Sequence, residues 1–177
     1  MVKTKFSLWK WKTMDKINIC VVCSGNICRS PFVEYVLKKE LDKNYHIFSA
    51  GLLGIYEQPA YEVCVALAPR FGVRLKSHKS QGVTGENVQK CDYILAMTKM
   101  HLKGLSVYLP QRRPYLLSEF LDKDAVYDLG SLGKVRCGDD IPDPMGQNAM
   151  VVEPVLKLLN EATLGFVEKL KNNDMPD

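Results

Sequence analysis

The chain has 177 residues, 46% of them hydrophobic and 25% charged, with a formal net charge of +4. That composition can fill one sizeable core, and it excludes intrinsic disorder, a collagen-like chain and a minimal disulfide-stapled scaffold. No apolar run approaches the roughly 18 residues of a membrane span, so the sequence reads as a soluble domain with no stable membrane insertion.

In chain order, residues 1–13 come first. They carry Lys3, Lys5, Lys10 and Lys12 and no acid, and without those four the basic and acidic residues balance at 20 each. A nucleic-acid partner would need a basic face within the fold itself, and none is left. The segment reads as a flexible extension ahead of a single domain over 14–177, with Met14 as an alternative start. Its amphipathic basic character leaves a membrane-surface or targeting role open, but no apolar stretch follows the lysines as a secretory signal requires.

Lys16 to Val22 is an apolar, β-branched run that predicts a buried strand. A polar, glycine-containing turn follows over Cys23 to Arg29. Ser30-Pro31 looks like a helix start, with serine as cap and proline at the first helical position. Val33, Val36, Leu37 and Leu41 then recur at helical spacing, which carries that helix to about Lys43. Ile47 to Ala50 predicts the next strand, ended by Gly51. A helix is expected over Ala60 to Phe71, ended or kinked at Pro69. A short helix over Thr84 to Lys90 has Thr84 as its cap, and Tyr93 to Met97 is a strand followed by a helix over Lys99 to Leu105. Pro114 to Leu117 predicts a last strand, and the polar, glycine-rich stretch from Asp122 to Pro142 reads as a long loop. Val152, Val155, Leu156, Leu159, Ala162, Phe166, Val167 and Leu170 form one apolar stripe, the clearest helix of the chain.

Strands alternating with helices imply βαβ units, hence a parallel sheet with helices on both faces. Ligands of such sheets sit beyond the carboxyl ends of the strands, where the Cys23–Arg29 turn falls. A strand feeding a helix through a tight loop turns successive backbone N–H groups inward, and the helix N-terminus adds partial positive charge, which makes an anion cradle. Gly25 permits close approach of backbone, and Asn26 tolerates a left-handed conformation better than most residues. Arg29 can grip two oxygens of a phosphate as a fork. Cys23 at the mouth of that cradle would be a nucleophile already in place.

Six cysteines, Cys20, Cys23, Cys28, Cys64, Cys91 and Cys137, without a secretory signal point to a reducing, cytoplasmic setting. Cys20, Cys23 and Cys28 lie close together, but no second Cys or His pair at short spacing completes a zinc site.

The segment Val22 to Pro31, VCSGNICRSP, resembles the phosphate-binding loop of the low-molecular-weight protein tyrosine phosphatase family almost letter for letter. The resemblance continues through Ser49-Ala50-Gly51, Ser77-His78-Lys79-Ser80, the CDYILAM strand and Asp143-Pro144, and covers about Asp15 to Leu170. It implies a three-layer α/β/α fold around a four-stranded parallel sheet, and no metal or other cofactor. Cys23 would attack phosphorus in line to give a cysteinyl-phosphate. Arg29 and the backbone of Ser24, Gly25, Asn26, Ile27 and Cys28 would hold the phosphate oxygens. Ser30 would donate to the Cys23 thiolate, and Asn26, bonded to His78, would hold the loop's shape. Of the carboxylates in the late loop (Asp139, Asp140 and Asp143), the Asp-Pro motif selects Asp143 as general acid and then base. Family precedent also makes a reversible Cys23–Cys28 disulfide possible, whereas Cys64, Cys91 and Cys137 attract no role.

Substrates would be phosphorylated proteins, with phosphate and other oxyanions as inhibitors. Ile27 favours phosphotyrosine, because related arginine phosphatases commonly carry threonine there. Met145-Gly146-Gln147 replaces the tyrosines that eukaryotic members usually place after Asp-Pro. Met145 on one side and Ile55 or Tyr56 on the other are the expected pocket walls. The segment 122–140 looks like an insertion, which reads first as a solvated one with Tyr127 exposed. The alternatives are a protein arginine phosphatase of the same fold, an arsenate reductase, for which late resolving cysteines are poorly placed, and a phosphate-binding adaptor without turnover.

Overall fold

The computed structural model describes residues 16–109, 111 and 113–176, so the expected extension over 1–13 lies outside the described residues. Four parallel strands form the main sheet in the order β2-β1-β3-β4: β1 (Ile17–Cys23), β2 (Tyr45–Gly51), β3 (Tyr93–Ala96) and β4 (Tyr115–Leu116). Side chains alternate along β1 as a strand demands. Ile19, Val21 and Cys23 point into one apolar cluster, and Cys20 and Val22 into another. The first cluster is closed by α1 (Arg29–Glu40), α2 (Glu62–Leu67) and the long α5 (Ala149–Lys171). The second lies under α3 (Gly85–Gln89) and α4 (Lys99–Ser106), through Val88 and Leu105. Layers of helix, sheet and helix result, as the βαβ pattern predicts.

The local signals have identifiable outcomes. Thr84 caps α3 through a reciprocal box with Asn87, Thr98 caps α4, and Asn148 caps α5 by accepting from Met150 and Val151. The α-helix ends at Leu67, ahead of Pro69 as expected, and the chain continues as a 3-10 turn, Ala68–Phe71, closed by Gly72 at φ 74°. A proline ring and a missing donor are tolerated in the first turn of such a segment. Helix α1 stops at Glu40, short of Lys43, because Leu41 is already extended.

Two expectations need correction. Ser30 is not the cap of α1. The helix begins at Arg29, and Cys28 holds the cap position with no side-chain hydrogen bond to the helix, because the serine hydroxyl is engaged elsewhere. Nor is the stretch from Asp122 to Pro142 a solvated loop. It contains an antiparallel hairpin, β5 (Tyr127–Asp128) and β6 (Lys134–Val135), joined through a 3-10 turn at Gly130–Leu132. Leu129, Val135 and Ile141 are buried in the same cluster as α5. Tyr127, expected exposed, is partly buried, and burial, then the nearby Glu161 carboxylate of α5, raises its pKa. The apolar residues are spaced irregularly here, so no period announces the hairpin.

Candidate active site

β1 ends at Cys23, so the carboxyl edge of a central strand delivers that thiol to the loop. The loop then closes on a residue in left-handed backbone. Asn26 has φ 57°, which a short polar side chain permits. It is fully buried and every polar atom of its side chain is used. Its Nδ2 donates to Ser30 Oγ (3.0 Å) and Ser49 Oγ (2.7 Å), and its Oδ1 accepts from the Gln81 N–H (2.9 Å). The Asn26 carbonyl meets His78 Nε2 at 2.8 Å. Ser49 in turn donates to the buried Glu34, whose other oxygen pairs with Lys38.

Ser30 Oγ accepts from Asn26 and still carries a hydrogen that it can give to a Cys23 thiolate, 3.0 Å away. The Asn26 N–H also reaches Cys23 Sγ, at 3.3 Å. The sulfur is therefore held by two donors while being 3% exposed. The loop after β2 braces the cradle from outside: Leu52 N–H donates to the Cys23 carbonyl and Leu53 N–H to that of Ser24. Gly51 is required for this approach, since a Cβ there would lie 2.7 Å from the Ser24 carbonyl oxygen and 2.8 Å from the Asn26 nitrogen.

Arg29 is buried across the floor. Its Nη1 donates to the Ile141 carbonyl at 2.9 Å and its Nη2 to Asp143 Oδ2 at 2.5 Å, while its Nε has no partner among the described residues. A buried guanidinium N–H without an acceptor is costly unless a ligand satisfies it. An anion seated on the loop N–H groups is the acceptor this arrangement suits. Asp143 is placed by its neighbours: Ile141 N–H bonds the Met97 carbonyl at the end of β3, and Met145 N–H donates to Asp143 Oδ1. Asp139 and Asp140 are used structurally, accepting from the backbone of Arg136 and Lys99.

Cys23, Ser24, Gly25, Ile27, Cys28, Arg29 and Asp143 share one cleft of about 200 Å³ with Leu53, Ile55 and Met145. Of the expected walls, Ile55 and Met145 line it. Tyr56 does not, because its ring turns back against Gly82, and Leu53 stands in the wall instead. A larger cavity beside α3 holds none of these groups. Among the three close cysteines, Cys20 faces the opposite side of the sheet and interacts with Cys91, so they do not converge on one point.

Besides Leu53, two residues escaped the sequence reading. His101, in the first turn of α4, is buried with Nε2 2.9 Å from Ser24 Oγ and Nδ1 without a partner among the described residues. Burial, then the Arg29 charge, lowers its pKa to about 4, against the smaller opposing pull of Asp143 and Asp140. The second is Cys64 of α2, whose sulfur lies 2.7 Å from that of Cys28. His101 had a signal, since α4 starts at the same sheet edge as the loop. Cys64 had none, because 36 residues separate it from Cys28.

A nucleophile-bearing anion cradle at the carboxyl edge of a parallel sheet, with an arginine and a carboxylate across it, defines a class of cysteine-dependent phosphoryl-transfer enzymes. The chain belongs to the low molecular weight phosphotyrosine protein phosphatase family, whose model matches residues 18–175. It is 30% identical over 155 residues to the low molecular weight protein-tyrosine-phosphatase Etp of Escherichia coli K12, covering 86% of this chain and 94% of that one. Vibrio vulnificus Wzb, solved with benzylphosphonate, is 30% identical with a TM-score of 0.71, over 87% of this chain and 99% of its own. The arginine phosphatase YwlE from Geobacillus stearothermophilus has a TM-score of 0.74 at 23% identity, over 89% and 94% of the two chains, and shows likeness of fold alone.

Proposed function

We propose that this protein hydrolyses phosphotyrosine in proteins through a cysteinyl-phosphate on Cys23. The observation that carries the reading is the convergence of Cys23, the unpartnered Nε of Arg29 and Asp143 on one cleft with aliphatic and thioether walls. A substrate phosphate would sit on the N–H groups from Ser24 to Arg29 and draw Arg29 away from Asp143, so that binding exchanges one anion for another. Cys23 then attacks phosphorus in line, and Arg29 with the loop N–H groups stabilises charge on the equatorial oxygens. Asp143, released from the guanidinium, passes a proton from its acid form to the leaving phenolate, and its carboxylate later takes one from the water that cleaves the phosphoenzyme. Ser30 holds the departing thiolate with its hydrogen. The six free thiols support a cytoplasmic setting.

Ile27, Leu53, Ile55 and Met145 around the cleft favour a flat aryl ring over a guanidinium, which would need polar partners. The test is kcat/KM on matched phosphotyrosine and phosphoarginine peptides without added metal. A preference for phosphotyrosine above about tenfold, roughly 1.4 kcal/mol in transition-state binding, is expected. A preference for phosphoarginine would overturn the substrate assignment while leaving the chemistry, and turnover of neither would overturn both.

A further inference from the structure

The phosphatase chemistry leaves two touching thiols unused. Cys28 stands at the foot of α1 and Cys64 within α2, they are 4% and 0% exposed, and their sulfurs are 2.7 Å apart without being bonded. Closing to a disulfide of about 2.05 Å asks for little more than side-chain rotation. The Cys64 contact, then burial, drives the Cys28 pKa far above the ordinary range, so Cys28 stays a thiol and reacts slowly with an oxidant by itself. Cys23 lines the same cleft as Cys28, and its sulfur is met by the Ser30 hydroxyl and the Asn26 N–H.

We propose that Cys64 is a resolving thiol, which carries oxidation off Cys23 and stores it as a Cys28–Cys64 disulfide joining the phosphate loop to α2. The oxidant is a peroxide. The Cys23 thiolate attacks one peroxide oxygen, an S–O bond forms as the O–O bond breaks, and hydroxide leaves, giving a sulfenic acid. Cys28 Sγ attacks that sulfur and gives up its proton, water departs, and Cys23 and Cys28 are joined. Cys64 Sγ then attacks Cys28 Sγ and gives up its proton, the new S–S bond forms as the old one breaks, and Cys23 leaves as thiolate. Two thiols are oxidised, one hydrogen peroxide is reduced to two waters, and Cys23 ends as it began. Direction comes from the leaving group, because exchange is faster when the departing sulfur is stabilised as thiolate. The two donors on Cys23 do that, and among the described residues no such pair serves Cys28.

The inference does not depend on the phosphatase reading, since it can be read from sulfur connectivity. The full chain is treated with one equivalent of hydrogen peroxide, alkylated, digested without reduction and mapped by mass spectrometry. Phosphatase rate is followed in parallel, and Cys64→Ala and Cys64→Ser are taken through the same steps. The wild type is expected to show the Cys28–Cys64 peptide with Cys23 free and to keep most of its rate. The variants should match wild type before oxidation, then show Cys23 linked to Cys28 or oxidised further and lose most of their rate. A wild type without the Cys28–Cys64 peptide overturns the proposal. So do variants whose rate loss follows the wild-type curve. If neither variant folds, the wild-type map alone decides.

Discussion

Asp143 and His101 show how one charged floor separates the tasks of neighbouring side chains. Asp143 is the carboxyl group in the cleft, so Asp143→Asn should lower kcat on a phosphotyrosine peptide by about 10²- to 10⁴-fold, as expected for loss of a general acid. The loss should be smaller on p-nitrophenyl phosphate, whose leaving group needs less protonation. Steady-state kinetics on the two substrates checks this, and equal losses would remove Asp143 from the proton-transfer step. His101 is kept neutral by burial and by Arg29, with a pKa of about 4 against an ordinary 6.5. Between those values the unfolded chain binds a proton that the folded chain does not, so stability should fall as pH drops from about 6.5 towards 4. Urea denaturation across that range is expected to show a smaller decline for His101→Asn. Near neutral pH, Ser24→Ala and His101→Asn should each slow turnover modestly and, combined, cost less than their sum, because they remove one hydrogen bond between them.

At the scale of elements, the Cys23–Arg29 loop is shaped from behind by β2. A methyl group at Gly51 would press on the Ser24 carbonyl and the Asn26 nitrogen, both backbone atoms. Gly51→Ala is therefore expected to destabilise the fold by about 1–3 kcal/mol, as overpacking typically does, and to reduce anion affinity as well. Thermal denaturation with and without phosphate separates the two effects, and an unchanged phosphate-induced shift in Tm would argue against the brace. The loop itself was legible in the sequence, because strand, Gly-Asn turn and helix start are adjacent in the chain and each has its own local signal. The four strands and the caps at Thr84 were legible for the same reason. What could not be read was whatever depends on distant residues meeting. Ser30 looked like a cap because its position suits one, but Asn26 and Cys23 claim its hydroxyl through three-dimensional closure. Tyr56 and Leu53 are near neighbours in one loop, and only the fold decides which of them faces the cleft.

Across the whole molecule, the segment over 122–140 changes the count of what belongs to the core. Leu129 and Val135 are buried beneath α5, so the hairpin is structural. Leu129→Ala should cost about 2–5 kcal/mol, the range for truncating a buried leucine, measured as a shift in urea midpoint at constant slope. A shift near zero would return the segment to solvent. The sequence hid this packing because short strands of two residues carry no measurable alternation, whereas the apolar stripe of α5, Val152 to Leu170, spans about five turns. The same hairpin leads into Ile141, which anchors both Met97 and Arg29 through its backbone, so the segment's packing reaches the position of Asp143.

Helix α5 also has a bearing on how the chain is made. It supplies Val152, Val155, Leu156, Leu159, Ala162 and Phe166 to the cluster on one face of the sheet, yet it is the last element in chain order. During synthesis the strands and the Cys23–Arg29 loop leave the ribosome while that face is covered only by α1 and α2, and the nascent chain must carry a partly open apolar surface until α5 arrives. Native closure of the core therefore waits until α5 has been made, and that interval is when a holdase chaperone would find this protein.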